Sequence, residues 1–144
     1  MPDPDCSFCR IAAGEADGTL VLDEPHALAF LDHRPLFHGH CLLIPREHYE
    51  TLPDLPPGEV GPFFQACQLL ARAVVDAMGA EGSFVALNNV VSQSVPHLHV
   101  HVVPRRRKDG LRGFFWPRTK YESDEQMGEV AATIREAVAS LEGD

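Results

Sequence analysis

Two hydrophobic periods run along the chain. Alternating apolar and polar positions place successive side chains on opposite faces of a strand, and three-to-four spacing builds one face of a helix. Residues 7–13 read as a short helical turn closed by Gly14. Thr19 to Asp23 and Ala27 to Leu31 read as two strands, with Asp23-Glu24-Pro25-His26 as the turn. Pro35 to Gly39 reads as a loop, and His40 to Ile44 as a third strand stopped at Pro45. Prolines 53, 56 and 57 lead into a long helix from about Gly58 to Met78. Its apolar positions Val60, Phe63, Phe64, Cys67, Leu70, Ala71, Val74 and Val75 keep helical spacing, and Gly79 supplies the stop. Ser83 to Leu87 and Val95 to Val103 read as the fourth and fifth strands. Gly110 to Tyr121 has no clear period and reads as a loop that packs Phe114, Phe115 and Trp116. A last helix spans about Asp124 to Leu141, opened by a capping box of Ser123 and Gln126. Five strands joined mostly by antiparallel-length loops, with helices grouped rather than alternating, predict an α+β domain. We expect one domain over residues 1–144, with a core at about 4–108 and residues 109–144 as a C-terminal loop and helix.

The fifth strand carries the chemistry. His97, His99 and His101 alternate with Leu98, Val100 and Val102, so one face is imidazole and the other is core. Three of the chain's eight histidines stand on this run. Imidazole titrates near neutral pH and serves as acid, base, nucleophile or metal ligand. Two chemistries compete: a metal held by alternating imidazoles, or a histidine that attacks phosphorus while its neighbours orient it and handle protons. Incidental histidines on a half-buried strand are the bland alternative.

Composition narrows the choice. A chain of 144 residues, 44% hydrophobic, suits one globular domain. Its formal net charge of −9 argues against a nucleic-acid polymer as partner. The local exception, Arg105-Arg106-Arg107-Lys108, reads either as a handle for extra ligand phosphates or as a solvated loop. No apolar run approaches the roughly 20 residues that span a bilayer. Met1-Pro2-Asp3-Pro4-Asp5 has no basic start and no apolar stretch, so no membrane partner and a cytoplasmic location are expected. Cys41 and Cys67 fall in apolar runs and read as core. Cys6 and Cys9 form a Cys-x-x-Cys pair, which reads as half of a zinc site needing two more ligands.

His97-Leu98-His99-Val100-His101-Val102-Val103 resembles the signature of the histidine-triad (HIT) superfamily of nucleotide-binding proteins. The resemblance extends along most of the chain. Cys6-Ser7-Phe8-Cys9 with Ile11-Ala12-Ala13-Gly14-Glu15 is similar to the opening of bacterial members. So are Ala29-Phe30-Leu31-Asp32, Gly39-His40-Cys41-Leu42-Leu43-Ile44-Pro45 with His48 after it, and Val103-Pro104-Arg105. It implies an antiparallel five-stranded sheet with two main helices, paired as a homodimer.

The resemblance also implies purine nucleotide substrates such as adenosine phosphoramidates or dinucleoside polyphosphates. These are cleaved at the α-phosphate through a nucleotidyl-histidine, releasing a nucleoside monophosphate. Within the triad of His97, His99 and His101, it makes His99 the nucleophile and sets His101 against the α-phosphate and leaving group. Ser94 and Asn88, with Asn89 as the alternative and Gln93 beside them, are the expected phosphate contacts. Asp32 is the ribose clamp, and Phe8, Ile11, Phe30 and Ile44 are candidate walls for the base. The loop between Asn88 and Ser94 departs from the family, carrying Val90-Val91-Ser92-Gln93 where glycines are usual. Cys6, Cys9, His48 and His97 are the implied ligands of a structural zinc, with no cofactor needed for the chemistry. The C-terminal loop, including Phe114 to Arg118, is implied to shape substrate choice and to reach the partner subunit's site. Two other classes stand beside this one: a non-catalytic nucleotide sensor or partner-binding protein on the same scaffold, and a metalloenzyme with all three triad histidines on one zinc.

Overall fold

The computed structural model describes residues 3–111 and 118–143. The expected packing of Phe114, Phe115 and Trp116 lies outside the described residues. Two compact units divide the chain, Met1–Asp109 and Gly110–Asp144.

The first unit holds the helix α1 (Ser7–Ala12), strands β1 (Leu20–Glu24), β2 (Ala27–Leu31) and β3 (Cys41–Ile44), the long helix α2 (Pro57–Met78), and strands β4 (Gly82–Leu87) and β5 (Val100–Arg105). The strands form one sheet in the order β1-β2-β3-β5-β4, and every pairing is antiparallel. The domain is α+β, as the pattern predicts.

Strand alternation divides the core in two. Ala27, Ala29, Cys41, Leu43, Leu98, Val100 and Val102 turn to one face and pack with Phe63, Ala66, Cys67, Leu70 and Val74 of α2. Leu28, Phe30, Leu42 and Ile44 turn to the other face and pack with Cys6, Phe8 and Cys9 of the α1 region. The central strands are therefore buried on both sides, which explains their continuous apolar runs. Phe63 is wholly buried in the first cluster, a position where truncation to alanine costs about 3–5 kcal/mol.

Two glycines set the chain path. Gly79 caps α2 in the left-handed region, at φ 58°. Gly39 sits at φ 97°, and a Cβ there would stand 2.7 Å from Met78 Cγ and 3.1 Å from Pro104 Cγ. That close approach delivers His40 to the start of β3.

The expected fifth strand, Val95 to Val103, is corrected at its start: the ladder begins at Val100. Partner length is the reason. β3 has only four residues before Pro45, and its last pairing with β5 is Leu43 opposite Val100. Residues 97–99 run on beyond the sheet. There Leu98 N–H donates to the Tyr49 carbonyl at 2.7 Å instead. The alternation of faces persists regardless, because Leu98 still enters the α2 cluster and is fully buried.

The second unit contains α3 (Asp124–Glu142). Ser123 Oγ accepts from Gln126 N–H at 3.0 Å, and Gln126 Oε1 accepts from Glu122 N–H at 2.7 Å, so the box closes one residue earlier than expected. Met127, Val130, Ile134 and Val138 are exposed along one face of this helix. No helix among the described residues is long and apolar enough to cross a membrane.

Candidate active site

Parity sends His97, His99 and His101 to the face opposite α2, and two backbone carbonyls and the ring of His40 assign the proton on each ring. His97 Nε2–H donates to the Pro45 carbonyl at 3.0 Å, so its Nδ1 holds a lone pair. His99 Nδ1–H donates to the His97 carbonyl at 2.7 Å, so its Nε2 is the free lone pair. His40 is the anchor for the third ring. Its Nδ1 accepts from Leu36 N–H at 3.1 Å, so the proton is on Nε2. That proton is donated to His101 Nδ1 at 3.0 Å, leaving His101 with Nε2–H. The site therefore presents an acceptor nitrogen on His99 beside a donor nitrogen on His101, with ring centroids 5.2 Å apart.

Burial keeps the His97, His40 and His101 rings neutral. It is the largest cause of the fall in the His101 pKa to about 4, helped by His99 and His40 and opposed by Asp32. His97 also falls to about 4, again chiefly through burial. Burial lowers His40, and Asp32 offsets part of the effect. Neutral rings are what the tautomer chain requires.

A cleft of about 1160 Å³ opens beside His99 and His101. Asp32 and Ser94 line it, as do Phe8, Ile11 and Phe30, whereas Ile44 is buried outside the lining. Phe8 stands edge-on to both His97 and His99, at 5.9 and 5.2 Å between centroids. Asp32 Oδ1 accepts from Arg34 N–H at 2.9 Å, and Oδ2 lies 3.6 Å from His40 Nε2.

The structure does not bring Asn88, Asn89 and Gln93 to the cleft lining. Asn88 Nδ2 donates to the Ser92 carbonyl at 3.2 Å. Asn89 Oδ1 accepts from Leu52 N–H at 2.8 Å, and Gln93 Nε2 donates to the Glu50 carbonyl at 2.6 Å. These amides brace the loop against residues 50–52. Val90 and Ser92 adopt left-handed φ of 69° and 62°. The missing glycines thus have a conformational counterpart: two ordinary residues occupy backbone regions that glycine enters freely.

The phosphate-handle reading of Arg105–Lys108 is corrected. Arg105 forms a two-pronged pair with Asp109, Arg107 pairs with Glu81, Arg106 donates to the Met78 carbonyl, and none lines the cleft. Cys41 and Cys67 are buried thiols, and burial raises Cys41 to about 11 and Cys67 above its ordinary value. They are inert core residues.

Cys6, Cys9, His48 and His97 form a four-donor cluster that could hold a metal ion, with all ligand atoms within 4.8 Å of one another. Cys6 Sγ and Cys9 Sγ lie 3.4 and 3.5 Å from His97 Nδ1, and Cys9 Sγ lies 3.3 Å from His48 Nδ1. A tetrahedral zinc with ordinary Zn–S and Zn–N bonds has S···N edges of about 3.5 Å. The donors fit, and the Pro45 carbonyl orients His97 as an outer partner should. Asp32, His40 and His101 also lie close enough to form a second such group. There, however, the proton on His40 Nε2 makes that nitrogen a donor, and the trio reads as a hydrogen-bond relay. The three triad rings themselves turn to three different partners, so the single-zinc metalloenzyme reading fails.

His40 is the functional residue that sequence reasoning passed over as a strand start. Parity could have found it. Leu42 pairs opposite His101, and His40, two residues before Leu42, shares its face.

A histidine-bearing strand in a five-stranded antiparallel sheet, beside a cleft with a carboxylate at its rim, defines a histidine-triad site. The HIT domain model matches residues 13–108, and the chain belongs to that family. It is 32% identical to the adenylylsulfatase HINT3 of Arabidopsis thaliana, over 95% of this chain and 71% of the relative. It is also 32% identical to the adenosine 5'-monophosphoramidase HNT1 of Saccharomyces cerevisiae, over 98% of this chain and 85% of the relative. A zinc-bound histidine triad family protein from Mycobacterium smegmatis superposes with a TM-score of 0.71 at 32% identity, covering 94% of this chain and 97% of that one.

Proposed function

We propose that the protein cleaves the bond between the α-phosphate of a purine nucleotide and a leaving group, through a nucleotidyl-His99 intermediate. The observation that carries this reading is the His99 tautomer: Nδ1–H is held by the His97 carbonyl, and Nε2 has no partner among the described residues beside the cleft. In the first step Nε2 bonds to phosphorus as the bond to the leaving group breaks, and the leaving group takes the electron pair. Water then displaces the imidazole, yielding the nucleoside monophosphate and a proton to solvent. Splitting the reaction this way replaces one hard displacement with two easier ones. His101 Nε2–H donates to the α-phosphate or the departing atom as a fixed dipole. With a pKa of about 4 it holds no spare proton at pH 7, which favours leaving groups that depart as anions. Asp32 accepts from the ribose hydroxyls, Ser94 contacts the phosphate, and Phe8, Ile11 and Phe30 wall the base.

Cys6, Cys9, His48 and His97 would hold a zinc ion whose contribution is a structural cross-link. Residues 1–144 act as one functional HIT chain in this reading. We assign it to the cytoplasm, where Cys6 and Cys9 stay reduced. It forms a homodimer, for which exposed Leu69 and Val85 supply surface.

Turnover of adenosine phosphoramidate, adenylyl sulfate, an aryl ester of AMP and diadenosine polyphosphates, compared between wild type and His99→Ala, tests the reading. AMP release should fall by at least about 10³-fold in the variant while AMP still binds. Binding with no release from wild type would replace the enzyme with a nucleotide sensor.

A further inference from the structure

The arginines of the first unit, Arg72 on α2 aside, fall into two groups. Arg46, Arg105 and Arg107 pair with Asp23, Asp109 and Glu81, and Arg106 bonds a carbonyl. Arg10 and Arg34 have no acceptor among the described residues, and both are exposed on the cleft, with exposed His33 beside Arg34. In a chain of net charge −9, these two guanidiniums offset Asp17 and Asp32, the two carboxylates that line the same cleft. The α1 carbonyls give Arg10 some use of its own, since it stands in the last turn of that helix. No such use exists for Arg34.

Arg34 is also tied to Asp32. Its backbone N–H holds Asp32 Oδ1 at 2.9 Å, which sets the carboxylate and the arginine at fixed spacing on one rim. Asp32 Oδ2 faces His40 at 3.6 Å, turning part of its charge inward. A carboxylate that accepts from ribose hydroxyls, with an arginine nearby, is how dinucleotide sites separate a free hydroxyl from a phosphorylated one. A ribose phosphate brings about −1.5 to −2 charges at pH 7. Asp32 and Asp17 would repel it, and Arg34 with Arg10 offsets them. The cleft, about 1160 Å³, exceeds the roughly 300–1,000 Å³ of ordinary ligand sites, so space is no obstacle.

We propose that the cleft takes nucleotides whose ribose carries an additional phosphate on its 2′ or 3′ hydroxyl, held by Arg34 with support from Arg10. The inference rests on the nucleotide reading of the cleft. Calorimetric binding of AMP, adenosine 2′,5′-bisphosphate and adenosine 3′,5′-bisphosphate to the intact protein tests it without requiring turnover. One bisphosphate should bind wild type about tenfold tighter than AMP. That preference should shrink to within about twofold in Arg34→Ala, and Arg34→Lys should restore only part of it.

Wild type that binds AMP at least as tightly as both bisphosphates overturns the proposal. So does a preference that survives in Arg34→Ala and Arg10→Ala alike. Diadenosine tetraphosphate serves as the second arm: if Arg34→Ala weakens it but leaves the bisphosphates alone, the guanidinium serves leaving-group phosphates and the proposal fails. If none of the compounds binds, the nucleotide reading falls with it; if AMP binds without preference, only this inference does.

Discussion

The carbonyl of His97 accepts the Nδ1–H of His99 at 2.7 Å, and the ring of the same His97 turns its Nδ1 to Cys6 and Cys9. One residue thus joins the cysteine cluster to the ring that faces the cleft. Phe8, between the two cysteines, touches both rings and also lines the cleft. The four-donor cluster and the face that carries His99 share a wall.

Metal removal should therefore act on stability first and on binding second. Cys9→Ser, or chelation, should release about one zinc per chain and lower the melting temperature by roughly 5–10 °C. Nucleotide affinity should fall with it, as α1 loses its anchor. Metal analysis with calorimetry checks this. A protein that loses no zinc and melts unchanged would show that the four donors do not hold the metal.

His40, the residue before β3, sets the His101 tautomer. His40→Ala should lower kcat by about 10²-fold, with KM changed far less than kcat. The ¹⁵N shifts of His101 should show loss of the single Nε2–H tautomer. Unchanged shifts in the variant would remove the positioning role.

Acid should destabilise the fold before it destroys the carboxylate pairs. His101 is depressed from about 6.5 to about 4, and His40 is also lowered. Between those values the unfolded chain binds more protons than the native one, so stability rises with pH through the window. It is fully present above about 6.5 and is lost as pH falls toward 4. After allowance for the partial exposure of His101, the loss is on the order of 2 kcal/mol. Urea midpoints measured from pH 7 to pH 4.5 give the slope, and a flat profile would contradict the depressed values.

Val90 holds a left-handed φ of 69° with a β-branched side chain that is mostly exposed. Val90→Gly should stabilise the protein by about 1 kcal/mol, since relief of the strain exceeds the added freedom of the unfolded chain. Thermal unfolding of the variant checks the sign. A destabilised variant would mean that the loop pays more for glycine's entropy than it gains.

Much of the fold was legible because it rests on local periods. The apolar run at Ala27–Leu31 marked a strand, the alternation around His99 identified its faces, and Gly79 marked the end of α2. Boundaries were less legible where a neighbour decides them. The start of β5 depends on where β3 meets Pro45, and nothing near Val95 encodes that. Asn89 and Gln93 carry the right chemistry for phosphate, but the Glu50 and Leu52 backbone takes their amides, a contact set by loops about forty residues away in sequence.

The sequence by itself determined which residue types share a face: the triad, Cys6 with Cys9, and the apolar face of α2. Side-chain direction follows from backbone period, and period is local. Tertiary structure alone decided the protons. The carbonyls of Pro45 and His97, the Leu36 N–H and the ring of His40 assign donor and acceptor to each imidazole. A neutral imidazole has two nitrogens of equal standing until a partner breaks the tie, and apart from the His97 carbonyl and the Leu36 N–H those partners come from distant segments of the chain.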